Sequence, residues 1–237
     1  MEFGQSFTVT ILKHNLKQHC KSLTVEDFRG ISISPVISKV LEHCILERYQ
    51  FFFISSDNQF GFKKKSSCSH AIYSLRCVVD SYVKKATTIN ICALDLSKAF
   101  DKMNHHGLFI SLMQKRLPVN VLCVLENWFS ICATYVRWGN LFSLTFIPSC
   151  GIQQGGVLSP YLFAIYIDSL VDRIRNCPFG CFVKSVCMSI LLYADDILLV
   201  APSVTSLQKL LHICELELSY IGMSINVNKS ARVRIGQ

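Results

Sequence analysis

Two apolar runs, Met188 to Leu192 and Ile197 to Val200, meet around the polar joint Tyr193-Ala194-Asp195-Asp196. Short runs rich in Ile, Leu and Val with a brief break between them read as the two buried strands of a hairpin, which puts Asp195 and Asp196 at its tip. A further continuous run, Ile89 to Leu96, reads as a buried strand carrying one charge, Asp95. Helical periodicity fills much of the rest. Ser34-Pro35 is a helix start, with Ser34 as N-cap and Pro35 as first helical residue, and the apolar spacing continues to about Tyr49. Further helices are expected over Cys68 to Val83, His105 to Arg116 and Val119 to Cys132. Tyr135 to Trp138 and Leu141 to Phe146 flank Gly139-Asn140, a two-residue hairpin turn. Gly151 to Pro160 is a glycine-rich loop closed by Ser159 as N-cap and Pro160 as the first residue of a helix that runs to about Arg175. Cys177 to Cys187 is a turn-rich connector. Ser206 to Tyr220 is a helix ended by Gly222, and Met223 to Val227 a short strand. Weak β character at Phe7 to Leu12, with Lys13, His14, Lys17, His19 and Lys21, marks residues 1 to 33 as a loop-rich basic edge.

A chain of 237 residues with 51% hydrophobic content can bury a substantial core, as one large or two small domains. Every long apolar run meets a charge before reaching membrane-spanning length, and the N-terminus lacks the apolar core of a signal peptide. An intracellular protein of the cytoplasm or nucleus, neither secreted nor membrane-bound, is therefore expected. The 24 Lys and Arg against 16 Asp and Glu give +8, which favours a polyanionic partner without identifying one. Twelve cysteines fall mostly inside apolar segments and read as reduced core thiols. Cys177, Cys181 and Cys187 form the only group, without the spacing or the histidine of a zinc shell.

Two carboxylates on a buried hairpin are costly unless a cation compensates them. The bland alternative is a pair of solvated aspartates, since Asp is an ordinary turn residue. A buried pair suits magnesium, which takes one or two protein carboxylates and completes its shell with water and substrate phosphates. Asp95 repeats the anomaly in a second strand. Asn58 to Ser66, with three lysines, is either a solvated basic turn or a phosphate contact.

Six segments fall in a telling order: FRGISISPVISKVLE from Phe28, QFGFKKKSSCSHAI from Gln59, ALDLSKAFDKMNH from Ala93, GIQQGGVLSPYLFAIYIDSL from Gly151, YADD from Tyr193 and GMSINVNKS from Gly222. Over nearly the whole chain they resemble a reverse transcriptase, more narrowly the polymerase of non-LTR (LINE-type) retrotransposons. The resemblance implies an α+β right-hand polymerase of fingers and palm, its antiparallel palm sheet backed by helices. Residues 1–90, with the basic turn at 59–66, would be the fingers-like part and 91–237 the palm, with 117–150 adding a helix and a hairpin between them. The chain stops shortly after Lys229, so a truncated fragment without a thumb is expected.

The implied reaction is RNA-directed DNA synthesis in retrotransposition, adding dNTPs to the 3′-hydroxyl of a DNA primer on an RNA template. In this family Asp95 and Asp195 would hold two magnesium ions, with manganese as a substitute, about 4 Å apart. Asp196 would support them and the Leu96 carbonyl would add a ligand. Phe100 matches the aromatic that crowds the sugar 2′ position and excludes ribonucleotides. Gln154 and Gly155 match the loop against the incoming nucleotide, where a missing Cβ lets a ligand approach the backbone. Lys63 lies near the family's triphosphate-binding cation, with Arg29 as a second candidate, and Lys229 matches the lysine proposed to protonate the departing pyrophosphate. Gly30, Gln153 and Gly156 depart from residues frequent in relatives, and none removes a catalytic group. The alternative is a catalytically silent retroelement remnant that at most binds nucleic acid. A viral RNA-copying polymerase is disfavoured by Ala194 and Phe100.

Overall fold

A computed structural model describes residues 4–13 and 23–236. In chain order its elements are β1 (Gln5–Leu12), β2 (Phe28–Ile33), α1 (Val36–Arg48), α2 (Cys68–Val83), β3 (Ile89–Leu94), α3 (His105–Gln114), α4 (Val119–Ile131), β4 (Ala133–Trp138), β5 (Leu141–Phe142), α5 (Ser159–Tyr166), α6 (Asp168–Arg175), β6 (Phe182–Val183), β7 (Val186–Cys187), β8 (Ile190–Tyr193), β9 (Asp196–Ala201), α7 (Val204–Tyr220) and β10 (Ala231–Ile235). The three apolar runs become β3, β8 and β9. With β10 they form a sheet in the order β10-β3-β9-β8, antiparallel throughout.

Side chains alternate across a sheet, so each strand feeds two layers. Cys92, Leu94, Ile197 and Leu199 join the large core with Leu170 and Ile174 of α6 and Leu210, Cys214 and Leu218 of α7. Ile89, Ile91 and Val200 turn the other way and pack on Val78 of α2. That second cluster stops short of the strand ends that carry the acids. Ala93, the next residue of β3 on the α2 face, is only half-buried.

A second sheet, β2-β1-β4-β5, pairs β1 antiparallel to β2 and parallel to β4. It joins residues 5–33 to 133–142, across the boundary at 90 expected from the motifs. The weak β signal at Phe7 to Leu12 has become a full strand, because β2 and β4 supply partners on both edges. His14, Lys17, His19 and Lys21, assigned to the same basic edge, lie outside the described residues.

Several local expectations are corrected. α1 begins at Val36 with Pro35 in the cap position, and the Ser34 hydroxyl caps nothing; it is buried without a hydrogen-bond partner. Ser159 lies inside the first turn of α5 rather than capping it. The helix expected to continue to Arg175 breaks at Ile167, beside Asp168. That buried carboxylate accepts from the Ser56 N–H at 2.9 Å and the Lys115 ammonium at 2.8 Å. The strand expected at Met223 to Val227 is a single bridge, Leu96 to Ile225, followed by a 3-10 turn and the unanticipated β10. Gly222, with φ of +72°, does end α7 as expected. Burial pushes the Cys181 thiol up to about 11 and Cys214 to about 12, as suits inert core thiols, whereas Cys44, Cys68, Cys77, Cys123 and Cys150 are exposed, against the expectation of core cysteines. No helix among the described residues is long and apolar enough to cross a membrane.

Candidate active site

The β8–β9 hairpin turns in two residues: Tyr193 pairs with Asp196, leaving Ala194 and Asp195 at the centre. Ala194 has φ of +57° and Asp195 is not left-handed, so only the first central position has positive φ, as in a type II′ turn. This geometry turns the chain tightly enough to set Asp195 at the tip and Asp196 at the first position of β9.

The third acid arrives through strand pairing. β3 and β9 are registered with Leu94 opposite Ile197, and carrying the register on by one residue sets Asp95 opposite Asp196 on the same face. Lys229 closes the group, its Nζ 3.8 Å from Asp95 Oδ2. The Asp95 side chain is 28% exposed, open enough to meet a ligand. Burial pushes the Asp196 carboxyl above its usual range, the negative charges of Asp195 and Asp95 push it further, and Lys229 opposes them. The acids at 95, 195 and 196 thus share one electrostatic field.

The direction of the Leu96 carbonyl follows from the hydrogen bonds on either side of it. Asn226 donates to the Asp95 carbonyl at 2.8 Å and Ser97 donates to the Ser224 carbonyl at 2.9 Å. In an antiparallel ladder successive residues address opposite edges, so the Leu96 carbonyl points away from this segment, toward the β9 side. Among the described residues, however, no three His, Cys, Asp or Glu side chains are grouped closely enough to cage an ion. Asp95, Asp195 and Asp196 lie at neighbouring strand ends, but no closed protein cage is formed among the described residues.

The neighbouring loops bring Phe100 and Gln154 alongside. Ile152 donates to the Phe100 carbonyl at 2.9 Å and Gly151 to the Met103 carbonyl at 2.7 Å, tying the glycine loop to the segment after β3. The Phe100 ring stacks on Phe163 with centroids 4.6 Å apart and meets Phe62 edge-on at 6.0 Å, so packing fixes its orientation while it stays half-exposed. The Gln154 carbonyl accepts from Ser32 of β2 at 2.7 Å. Gly155, at φ of +122°, could not carry a side chain, since a Cβ would lie 2.5 Å from the Ser32 carbonyl oxygen. The close approach that this glycine permits is first of all to the protein's own backbone.

Lys63 is not part of the group. Its ammonium donates to the Ser56 carbonyl at 2.5 Å and lies 3.9 Å from Asp57, and burial draws its pKa down. The expected triphosphate contact is therefore corrected to an internal tie of its own turn, with Lys64 and Lys65 left exposed. Arg29 is exposed on β2, the strand whose Ser32 holds the glycine loop.

Two residues escaped the sequence reading. Glu42 of α1 is buried, and its Oε2 accepts from the Leu158 N–H at 2.7 Å, taking over the cap of α5 expected from Ser159. Burial raises its pKa against the pull of the Leu158 and Val157 amides. The other is Gln59, beside the hairpin tip. No periodic signal marks either, because their partners lie more than a hundred residues away.

Comparison with known proteins bears on the family and the fold. The sequence model of the family described as Reverse transcriptase (RNA-dependent DNA polymerase) matches residues 11–234. The chain is 28% identical over 210 residues to the Retrovirus-related Pol polyprotein from type-2 retrotransposable element R2DM of Drosophila melanogaster, covering 89% of this chain and 20% of that protein. It is 30% identical over 173 residues to the Probable RNA-directed DNA polymerase from transposon X-element of the same fly, covering 68% and 19%. The chain thus spans about a fifth of the length of these curated relatives. Among solved structures, telomerase from Candida tropicalis in complex with a TWJ fragment of telomeric RNA superposes with a TM-score of 0.70 at 13% identity, covering 98% of this chain and 41% of that one.

Proposed function

The chain belongs to the reverse transcriptase family, and from that premise we propose that the cleft at the tips of β3 and the β8–β9 hairpin transfers dNTPs onto a DNA primer 3′-hydroxyl along an RNA template, as a step of retrotransposition. The observation that carries this reading is the placement of Asp95 opposite Asp196, with Asp195 at the turn between them and Lys229 at Asp95. The family works with divalent ions, and magnesium, with manganese as its substitute, fits this oxygen-only donor set. Asp95, Asp195, Asp196 and the Leu96 carbonyl would hold a pair of them. When bound, such a pair acidifies the attacking hydroxyl and neutralises charge on the transferring phosphoryl group. Burial first, and then repulsion from Asp195 and Asp95, push Asp196 up, and a bound cation would offset that cost.

The remaining roles fall to groups that touch substrate. Lys229 would give a proton to the departing pyrophosphate. Phe100, braced by Phe163, faces the sugar and rejects a 2′-hydroxyl by steric conflict. Gln154 and Gly155 offer a flat backbone to the nascent base pair, and Arg29 is the cation of the fingers side. The sheet β10-β3-β9-β8 acts as palm; residues before 90, joined by the 133–142 hairpin, act as fingers. A net charge of +8 draws the chain to RNA and DNA at long range.

Primer extension with magnesium, poly-rA template and oligo-dT tests the reading when the chain and Asp195→Asn are run side by side. Extension by the parent chain and loss in the variant are expected. Equal signal from both would reject polymerase chemistry and favour a silent remnant.

A further inference from the structure

The Ala194 peptide, which sets the directions of Asp195 and Asp196, is held from outside its own hairpin. Gln59 is 1% exposed and spends its whole amide on this turn. Its Oε1 accepts from the Ala194 N–H at 3.0 Å and from the Gly61 N–H at 2.9 Å, and its Nε2 donates to the Ala194 carbonyl at 3.2 Å. Both backbone polar groups of the left-handed residue are thereby satisfied by one side chain 135 positions earlier in the sequence. Gly61 is part of the same clamp, because a Cβ there would lie 2.3 Å from the Ala194 nitrogen. The segment is anchored independently along β8: Leu192 donates to the Asn58 carbonyl and Phe60 to the Leu192 carbonyl, each at 2.8 Å, while Asn58 Nδ2 donates to the Ile190 carbonyl at 2.8 Å.

A positive-φ alanine is unfavourable for an L-residue, and such a conformation persists only where the surroundings over-determine it. Gln59 supplies that determination. We propose that Gln59, with Gly61, is a positioning residue for the metal-binding carboxylates, fixing the Ala194 peptide so that Asp195 and Asp196 meet the ions without searching for their geometry. The inference rests on the reading that these acids bind divalent ions, and its failure is separable from the failure of that reading.

The test is Mn2+ affinity of the 237-residue chain, read by electron paramagnetic resonance of the free ion, for the parent, Asp195→Asn, Gln59→Met and the double variant Gln59→Met/Ala194→Gly. Gln59→Met keeps the length of the buried side chain and removes all three hydrogen bonds. Groups that orient metal ligands typically contribute roughly 10–100-fold in affinity, and a loss of that order is expected. Glycine is the residue a type II′ turn favours at this position, so Ala194→Gly should restore part of the loss; a role in packing alone would not be rescued. Thermal unfolding monitors folding of each variant. Should Gln59→Met not fold, Gln59→Asn withdraws the amide by one methylene and is expected to weaken binding in the same direction. Parent-like Mn2+ affinity in the folded Gln59 variant, with affinity lost in Asp195→Asn, would overturn the positioning role and leave the metal site standing. Parent-like affinity in Asp195→Asn would instead remove the premise.

Discussion

In the sheet β10-β3-β9-β8, Ile89, Ile197, Leu199 and Val200 are all at 0% exposure, because α6 and α7 cover one face and α2 the other. In β2-β1-β4-β5, Leu141 is 72% and Phe142 61% exposed. Hydroxyl contacts such as Thr8 Oγ1 with Ser32 Oγ at 3.1 Å run between its strands. The first sheet is a fixed frame and the second an open platform. Groups that must hold ions within a few tenths of an ångström belong on packed elements, whereas a surface that meets a long polymer needs exposed area. Polar contacts through the glycine loop link the two: Ser32 donates to the Gln154 carbonyl, Gln153 Nε2 donates to Ser6 Oγ, and the loop is tied to the segment after β3.

The largest effect that would sharpen this contrast is chemical. Asp95→Asn, in the packed sheet, should lower primer extension on the order of 10^3-fold, the several kcal/mol that a lost metal ligand costs. Arg29→Gln, in the open sheet, should act mainly on the KM for dNTP. Steady-state kinetics separates the two, and a comparable fall in kcat from both would erase the division of labour.

Stability should divide the same way. Leu199→Ala leaves a cavity in the packed sheet and should cost about 2–5 kcal/mol, while Leu141→Ala should stay within about 0.5 kcal/mol. Urea unfolding of both variants measures the difference directly. Similar midpoints would mean that the second sheet contributes a core of its own.

Magnesium should stabilise the frame specifically. At 100 times its Kd the ion adds about 2.7 kcal/mol to the parent, a rise in Tm of roughly 5–10 °C for a chain of this size. Asp95→Asn should show little of that rise in the same thermal scan.

The smallest effect concerns pH. The folded pKa of Asp196 is raised, so above it the native state carries an anion that it disfavours, and that cost is relieved as pH falls through the folded value. Asp196→Asn should therefore be slightly more stable than the parent at neutral pH without magnesium, the advantage vanishing in acid. Thermal scans at neutral and acidic pH check the sign.

Much of this architecture was legible residue by residue. The apolar runs at 89–96, 188–192 and 197–200 located three strands of the buried sheet, and the break between the last two put Asp195 and Asp196 at a hairpin tip. The helix expected over Cys68 to Val83 has those limits, and the one expected from Val119 to Cys132, set off by Pro118, ends one residue earlier at Ile131. The open sheet was harder to read, since β1 is half-exposed and its parallel partner β4 is more than a hundred residues away.

By itself, then, the sequence located β3, β8, β9 and most of the helices, the order of the motifs, and the placing of Asp95 in a strand and of Asp195 and Asp196 at a hairpin tip. Tertiary structure alone decided that Glu42 and not Ser159 caps α5, that Lys63 turns inward to Ser56, that β10 pairs with β3, and that Gln59 grips Ala194. The division has a physical cause. Periodicity and turn chemistry act within one or two turns of chain, whereas a buried amide or carboxylate takes whichever partner packing delivers, and between Gln59 and Ala194 that choice spans 135 positions.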